Sequence, residues 1–219
     1  MKMSNVIAID GPAASGKSTI AGMLAKQLNI AYISTGSLYR AVALACIREG
    51  IPLDHVPVSF LKKQKLEFLP NAEGQYELVL NDEFPGDALR GIEVAAGASK
   101  VAAQSDVRAH LLDVQRSFAG ERLIVMEGRD IGTVIFPDAK YKFFVTASPE
   151  ERARRRLLQE GNVFDDAALA EVAKAIRERD ELDAYRPIAP LKPAEDSILI
   201  DNTGLSLEES MRAILDHIS

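Results

Sequence analysis

Asn5-Val6-Ile7-Ala8-Ile9-Asp10 runs directly into Gly11-Pro12-Ala13-Ala14-Ser15-Gly16-Lys17-Ser18, and Thr19-Ile20-Ala21-Gly22-Met23-Leu24-Ala25-Lys26-Gln27-Leu28 follows at once. The first six residues read as a short buried strand, and the last ten place apolar residues at helical spacing. Between them the pattern G-x-x-x-x-G-K-[ST] is complete. Its two glycines accept backbone angles closed to other residues, so successive N–H groups can turn inward toward an anion. The helix behind them adds its positive N-terminal end. Lys17 brings a charge to the outer phosphates of a nucleotide, and the Ser18 hydroxyl suits a Mg²⁺ ligand. A glycine-rich turn with an exposed lysine would explain neither the second glycine nor Lys17-Ser18-Thr19 opening a helix. Residues Gly11 to Thr19 therefore read as a nucleoside-triphosphate site.

Strand and helix signals alternate outward from this motif. Ile30-Ala31-Tyr32-Ile33 reads as a second strand, and Leu38-Tyr39-Arg40-Ala41-Val42-Ala43-Leu44 as a helix continuing to about Gly50. Residues 65–69 and 76–80 read as the arms of a hairpin across Pro70 to Gly74, with a third run after the Asn81-Asp82 turn. An antiparallel piece inside a parallel pattern marks about 65–98 as an insertion. Beyond it the pattern predicts a helix over 107–118, strands at 123–126 and 142–145, and a helix opened by Pro149 and capped by Ser148. The stretch from Gly161-Asn162 to Asp166 breaks that helix, and a second charged helix covers about 167–182. Pro187, Pro190 and Pro193 mark an extended segment before a last strand at 197–200 and a last helix at 206–217. The fold class is α/β, with a parallel central sheet flanked by helices. Ligands of such a sheet sit at the carboxyl ends of its strands.

The chain of 219 residues has room for one α/β domain with a modest insertion. A net charge of −6 argues against binding a nucleic-acid polymer, which normally needs a basic face. No stretch approaches the apolar length of a membrane span. Met1-Lys2-Met3-Ser4 leaves no room for a signal peptide before the first strand, so a cytoplasmic chain is expected. Cys46 stands alone, which excludes a disulfide framework and a thiolate metal site. His55, His110 and His217 are scattered singly, so a histidine-based catalytic centre is not expected. Without a coiled-coil signal the expected state is a monomer.

The arginines narrow the chemistry. Arg40 and Arg129 each follow a strand, at the rim where the phosphate loop also lies. Arg152, Arg154, Arg155 and Arg156 stand on a helix before the Gly161-Asn162 break, and Arg177, Arg179 and Arg186 bracket the next segment. Any single arginine is most simply a solvated surface charge. Together they suit phosphoryl transfer between two substrates, where negative charge builds up and must be clamped. A nucleoside monophosphate needs no general base, because its acceptor oxygen is already ionised at neutral pH. An alcohol acceptor such as shikimate would call for a carboxylate, a place that Asp130 can fill.

Three segments now resemble a known family. Gly11-Pro12-Ala13-Ala14-Ser15-Gly16-Lys17-Ser18-Thr19, Ser34-Thr35-Gly36-Ser37-Leu38-Tyr39-Arg40 and Glu127-Gly128-Arg129-Asp130-Ile131-Gly132-Thr133-Val134-Ile135-Phe136-Pro137-Asp138-Ala139 are similar to bacterial cytidylate kinases (CMP kinases), a family of nucleoside monophosphate kinases. Ser99-Lys100-Val101-Ala102-Ala103, Val107-Arg108, Arg177 to Asp183 and Arg186 to Leu191 extend the resemblance over nearly the whole chain. It implies transfer of the ATP γ-phosphoryl group to CMP, and by analogy dCMP, with Mg²⁺. Lys17, Arg40, Arg129, Arg152 and Arg156 would then act on the phosphates. Thr35, Arg108, Asp130 and Arg186 would read cytosine, and Ser99, Arg179 and Asp183 would contact the ribose. The implied organisation is a phosphate-loop kinase core (1–64, 99–150 and 183–219), a monophosphate-binding insertion (65–98) and a helical lid (151–182).

Two departures from the family pattern stand out. Ser34 replaces the usual aspartate before Thr35-Gly36, where it is expected to cap the following helix equally well. Leu182 and Tyr185 stand where polar residues are frequent, which bears on the ribose side. Read from the residues alone, Asp130 is either the cytosine reader or a water-mediated Mg²⁺ partner. Alternatives for the whole chain are a kinase of UMP or shikimate, or a non-catalytic nucleotide-binding regulator.

Overall fold

The computed structural model describes residues 4–71, 75–160 and 165–218. The strands in chain order are β1 (Ser4–Asp10), β2 (Ala31–Ser34), β3 (Leu66–Pro70), β4 (Tyr76–Leu80), β5 (Ile124–Gly128), β6 (Ala139–Thr146) and β7 (Ile198–Asp201). The helices are α1 (Lys17–Leu28), α2 (Thr35–Glu49), α3 (Val58–Leu61), α4 (Ile92–Ala102), α5 (Ser105–Ser117), α6 (Pro149–Glu160), α7 (Asp166–Tyr185) and α8 (Leu207–Leu215). They fall into two compact units, residues 1–30 with 123–219, and residues 31–122.

In the first unit β5, β1, β6 and β7 lie side by side, all parallel. A parallel strand covered on both faces needs an unbroken apolar run. Val6, Ile7, Ala8 and Ile9 supply it and are fully buried. The register sets Asp10 beside Gly128 on one side and Phe144 on the other. The chain therefore leaves β1 at Gly11, β5 at Arg129, β6 at Ala147 and β7 at Asn202, all at the same end of the sheet. Helix α1 packs on β5 and on α8, and α6 packs along α7. Ser206 closes the start of α8 by accepting from the Glu209 N–H at 3.1 Å, while Glu209 accepts from the Ser206 N–H at 2.8 Å. Ser148 caps α6 as expected, accepting from the Glu151 N–H at 3.2 Å.

The second unit joins the β3–β4 hairpin to α2, α3, α4 and α5. Leu38, Val42, Leu61, Phe68, Leu80, Val101 and Leu111 are among its buried side chains. Phe68 meets Phe118 edge to face at 5.1 Å. The third antiparallel run does not form. Asn81 and Asp82 both take left-handed angles, φ 51 and 67°, in a tight turn, and a single Leu80–Glu83 bridge is all that follows. Helix α2 starts at Thr35 rather than Leu38. Ser34 occupies its cap position but makes no capping bond; instead the Ser37 hydroxyl donates to the Ser34 carbonyl at 2.6 Å. The end of the expected insertion is helical, as part of α4, which buries Val94, Ala98 and Val101. The Gly161-Asn162 break lies outside the described residues.

Candidate nucleotide site

The phosphate loop follows β1 without a spacer because Gly11 permits it. Gly11 has φ +156°, and a Cβ there would sit 2.0 Å from the Val145 carbonyl oxygen on β6. Gly16 has φ +84° at the cap of α1 and offers no side chain to the helix N-terminus, whose first turn also lacks an acid. The first N–H groups of α1 thus have no cap side chain and no carboxylate of their own turn to compete with an anion. Ser18 and Thr19 are exposed in that turn.

Lys17 is 5% exposed and folds back to donate from Nζ to the Pro12 carbonyl at 2.9 Å. Burial, with Arg129 and Arg179 nearby, lowers its pKa to about 7 against the pull of Glu127 and Asp10. Asp10, at the end of β1, is pushed the other way. Burial raises its carboxyl to about 7 even though it accepts the Ile131 and Gly132 N–H groups at 2.8 Å each. Those two bonds tie the end of β1 to the π-helical turn Ile131–Ile135 that follows Arg129 and Asp130.

Helices α6 and α7 are tied to the loop at Ala13 through paired side chains. Arg152 donates to the Ala13 carbonyl at 3.1 Å and to the Ala147 carbonyl at 3.0 Å, and it is ion-paired with Asp180. Asp180 also accepts the Ala13 N–H at 3.2 Å. Ala14 packs against the apolar cluster of Ala153, Ala173 and Ile176 on the two helices. Of the remaining arginines of α6, Arg154 and Arg156 are exposed and Arg155 is half-buried. That is the spread expected for three successive helix positions.

A chain of alternating charges lines the ends of β5 and α7. Arg129 Nε donates to Asp183 Oδ2 at 3.0 Å. Asp183 Oδ1 lies 3.6 Å from Arg186 Nη1, and Arg186 Nη2 lies 3.7 Å from Asp130 Oδ1. Arg186 is aimed by a bond from its Nε to the Ala189 carbonyl at 2.6 Å. Four of the expected substrate residues thus form one constellation, with Arg179 close enough to act on Lys17.

The second unit carries the others. Thr35 is buried at the start of α2, and Arg40 lies half-buried in the same helix. Arg108 is 7% exposed, with its guanidinium carbon 5.6 Å from the Tyr39 ring centre and Nη1 donating to the Ala102 carbonyl at 3.3 Å. Ser99 is exposed on α4. In the sequence Asp10, Glu127, Asp180 and Asn202 had no role of their own, and Arg155 only the role shared by its arginine cluster. Asp10 precedes Gly11, and Asp180 follows Arg179, so adjacency to a motif could have flagged both. Asn202 carried no such signal.

Comparison with known proteins agrees over almost the full length. The family profile described as Cytidylate kinase matches residues 7–219. A cytidylate kinase of Clostridioides difficile is 40% identical over 217 residues, covering 98% of this chain and 98% of the relative. One from Stutzerimonas stutzeri is 45% identical over 217 residues, covering 98% and 95%. Among solved structures, an uncharacterized protein from Eubacterium ventriosum shares the fold, with TM-score 0.50 at 18% identity over 97% of both chains. The chain belongs to the cytidylate kinase family.

Proposed function

We propose that the chain transfers the γ-phosphoryl group of Mg²⁺-bound ATP to CMP and dCMP. The observation that carries this is the Arg129–Asp183–Arg186–Asp130 constellation, set at the same sheet end as the phosphate loop. Arg129 and Arg40 are the side chains suited to grip an acceptor phosphate, as bidentate donors. Asp130 suits the cytosine amine and Arg186 its ring acceptors, with Thr35 and Arg108 as the further readers. Ser99, Arg179 and Asp183 are assigned to the ribose. The acceptor oxygen is already an anion, so the protein's work is to hold two phosphates in line and neutralise the charge that spreads between them. Lys17 follows the transferred group, and Arg152 and Arg156 are assigned to the donor phosphates.

No group of three His, Cys, Asp or Glu side chains among the described residues forms a metal cage. The donor set fits an ion that arrives with the nucleotide and takes one protein hydroxyl, that of Ser18. Such an ion would neutralise oxygens of the β- and γ-phosphates. Residues 151–182 are read as a lid that excludes water from the transfer. One set of ADP-release assays across CMP, dCMP, UMP, AMP and shikimate tests the reading. CMP and dCMP should be turned over fastest. Turnover led by shikimate or UMP, or none at all, would overturn it.

A further inference from the structure

Asn202, the first residue after β7, is fully buried and has every polar group engaged. Its N–H donates to the Thr146 carbonyl at 2.9 Å, which continues the sheet by one residue. Its side-chain amide donates to the Ser15 carbonyl at 2.9 Å. Its side-chain oxygen accepts from Arg155 Nη1 at 2.9 Å, and its main-chain carbonyl accepts from Arg155 Nη2 at 2.8 Å. Arg155 Nη1 also lies 3.3 Å from the Ser15 carbonyl, and its Nε is held by Glu151 at 3.0 Å. The amide has only one workable orientation. An oxygen must face the guanidinium and an NH₂ must face the carbonyl.

The Ser15 carbonyl shares a planar trans peptide with the Gly16 N–H, so fixing one fixes the other in the opposite direction. Gly16 has left-handed backbone angles and would not resist rotation of that peptide by itself. Arg155 and Asn202 flank it, 3.6 and 3.7 Å from where a Gly16 Cβ would stand. We propose that Asn202, braced by Arg155, is a positioning residue for nucleotide binding. It pins the Ser15–Gly16 peptide from behind and thereby aims the Gly16 N–H into the phosphate loop. A donor aimed before the ligand arrives costs no reorganisation on binding. The inference rests on the phosphate loop's being the ATP site.

The test is calorimetric titration of ADP and, separately, of CMP into wild type, Asn202→Asp and Asn202→Ala, with thermal melts of each. Asn202→Asp is nearly isosteric and keeps the acceptor for Arg155, but it sets a carboxylate oxygen against the Ser15 carbonyl. Both variants should weaken ADP by about 10–100-fold, the range for losing one hydrogen bond to a charged group. CMP binding should change by less than about threefold. An Asp variant that binds ADP as wild type does would overturn the proposal. So would parallel loss of ADP and CMP, which marks general destabilisation. If neither variant folds, Arg155→Met decides. It removes the brace and leaves the amide-to-Ser15 bond, so ADP should weaken about fivefold or more with CMP unchanged; unchanged ADP affinity would overturn the inference. Failure of the wild type itself to bind ADP would instead refute the phosphate-loop reading.

Discussion

Arg129 and Asp183 form an ion pair at 3.0 Å across 54 residues of sequence, each side chain about one-fifth exposed. The same carboxylate reaches toward Arg186 at 3.6 Å, so one aspartate spaces two cations that would otherwise repel. A pair this sheltered is costly to break from one side, because the surviving charge stays behind without its partner. Asp183→Ala should lower stability by about 2 kcal/mol, or roughly 4–8 °C in melting temperature. It should also raise KM for CMP at least tenfold, since both arginines lose their aim. Melting within a degree of wild type together with unchanged KM would show that the pair contributes neither.

The charge state of Lys17 should depend on its ligand. With a pKa lowered to about 7 by burial and neighbouring arginines, the free ammonium is about half protonated at neutral pH. Phosphate oxygens favour the charged form, so ATP binding should take up protons. From pH 7.5 to 8.5 affinity should fall by up to about tenfold. Calorimetry in buffers of different ionisation heat reads the uptake directly, and buffer-independent heats would refute it. Asp10 acts on the fold itself, and its effect also declines as pH rises. Its raised pKa makes its contribution to stability complete below about pH 4 and lost as pH rises toward 7. Lys17→Ala should keep the fold and lose nearly all turnover; retention of half of wild-type kcat would contradict the phosphate-loop assignment.

How legible a residue was depended on how local its job is. Gly11 to Ser18 could be read because strand, turn and helix are contiguous and each imposes its own residue types. The β3–β4 hairpin and the proline-opened α6 were equally local. The arginine-rich helix was visible, but which arginine turns inward was not. That depends on the Ala13 and Ser15 carbonyls, more than 130 residues away in the chain. The bonds made by Asp10 and Asn202 were hidden for the same reason. Their partners, the Ile131 and Gly132 N–H groups and the Ser15 carbonyl, are backbone atoms, and backbone atoms carry no sequence signature. Ser34 shows the converse. Its residue type suits a cap, yet the neighbouring Ser37 hydroxyl takes the local bond.

If α6 and α7 act as a lid, the ties to Ala13 through Arg152 and Asp180 are what closure and opening must make and break. Hydrogen exchange over 150–185 should slow when both substrates, or a bisubstrate analogue, are added. Asp180→Asn weakens the tie to Arg152 and should speed exchange there in the free protein by several-fold. Exchange that ignores both ligand and mutation would leave these helices as a fixed wall rather than a lid.

Asp130 tests the choice of base. It is 4% exposed and lies 3.7 Å from Arg186, so its carboxylate faces a cation already aimed by the Ala189 carbonyl. A buried carboxylate accepts from the amine of cytosine but opposes the carbonyl that uracil puts in the same place. Asp130→Asn keeps the size, removes the charge and supplies an amide that can turn to donate. The loss in kcat/KM for CMP should be about 10–1,000-fold, with a much smaller loss for UMP, so the preference narrows. A metal-supporting carboxylate behaves differently. Both substrates would fall together, and added Mg²⁺ would restore part of the rate. A uniform loss with metal rescue therefore moves Asp130 from the base pocket to the metal, and an unchanged CMP-to-UMP ratio without rescue removes it from both.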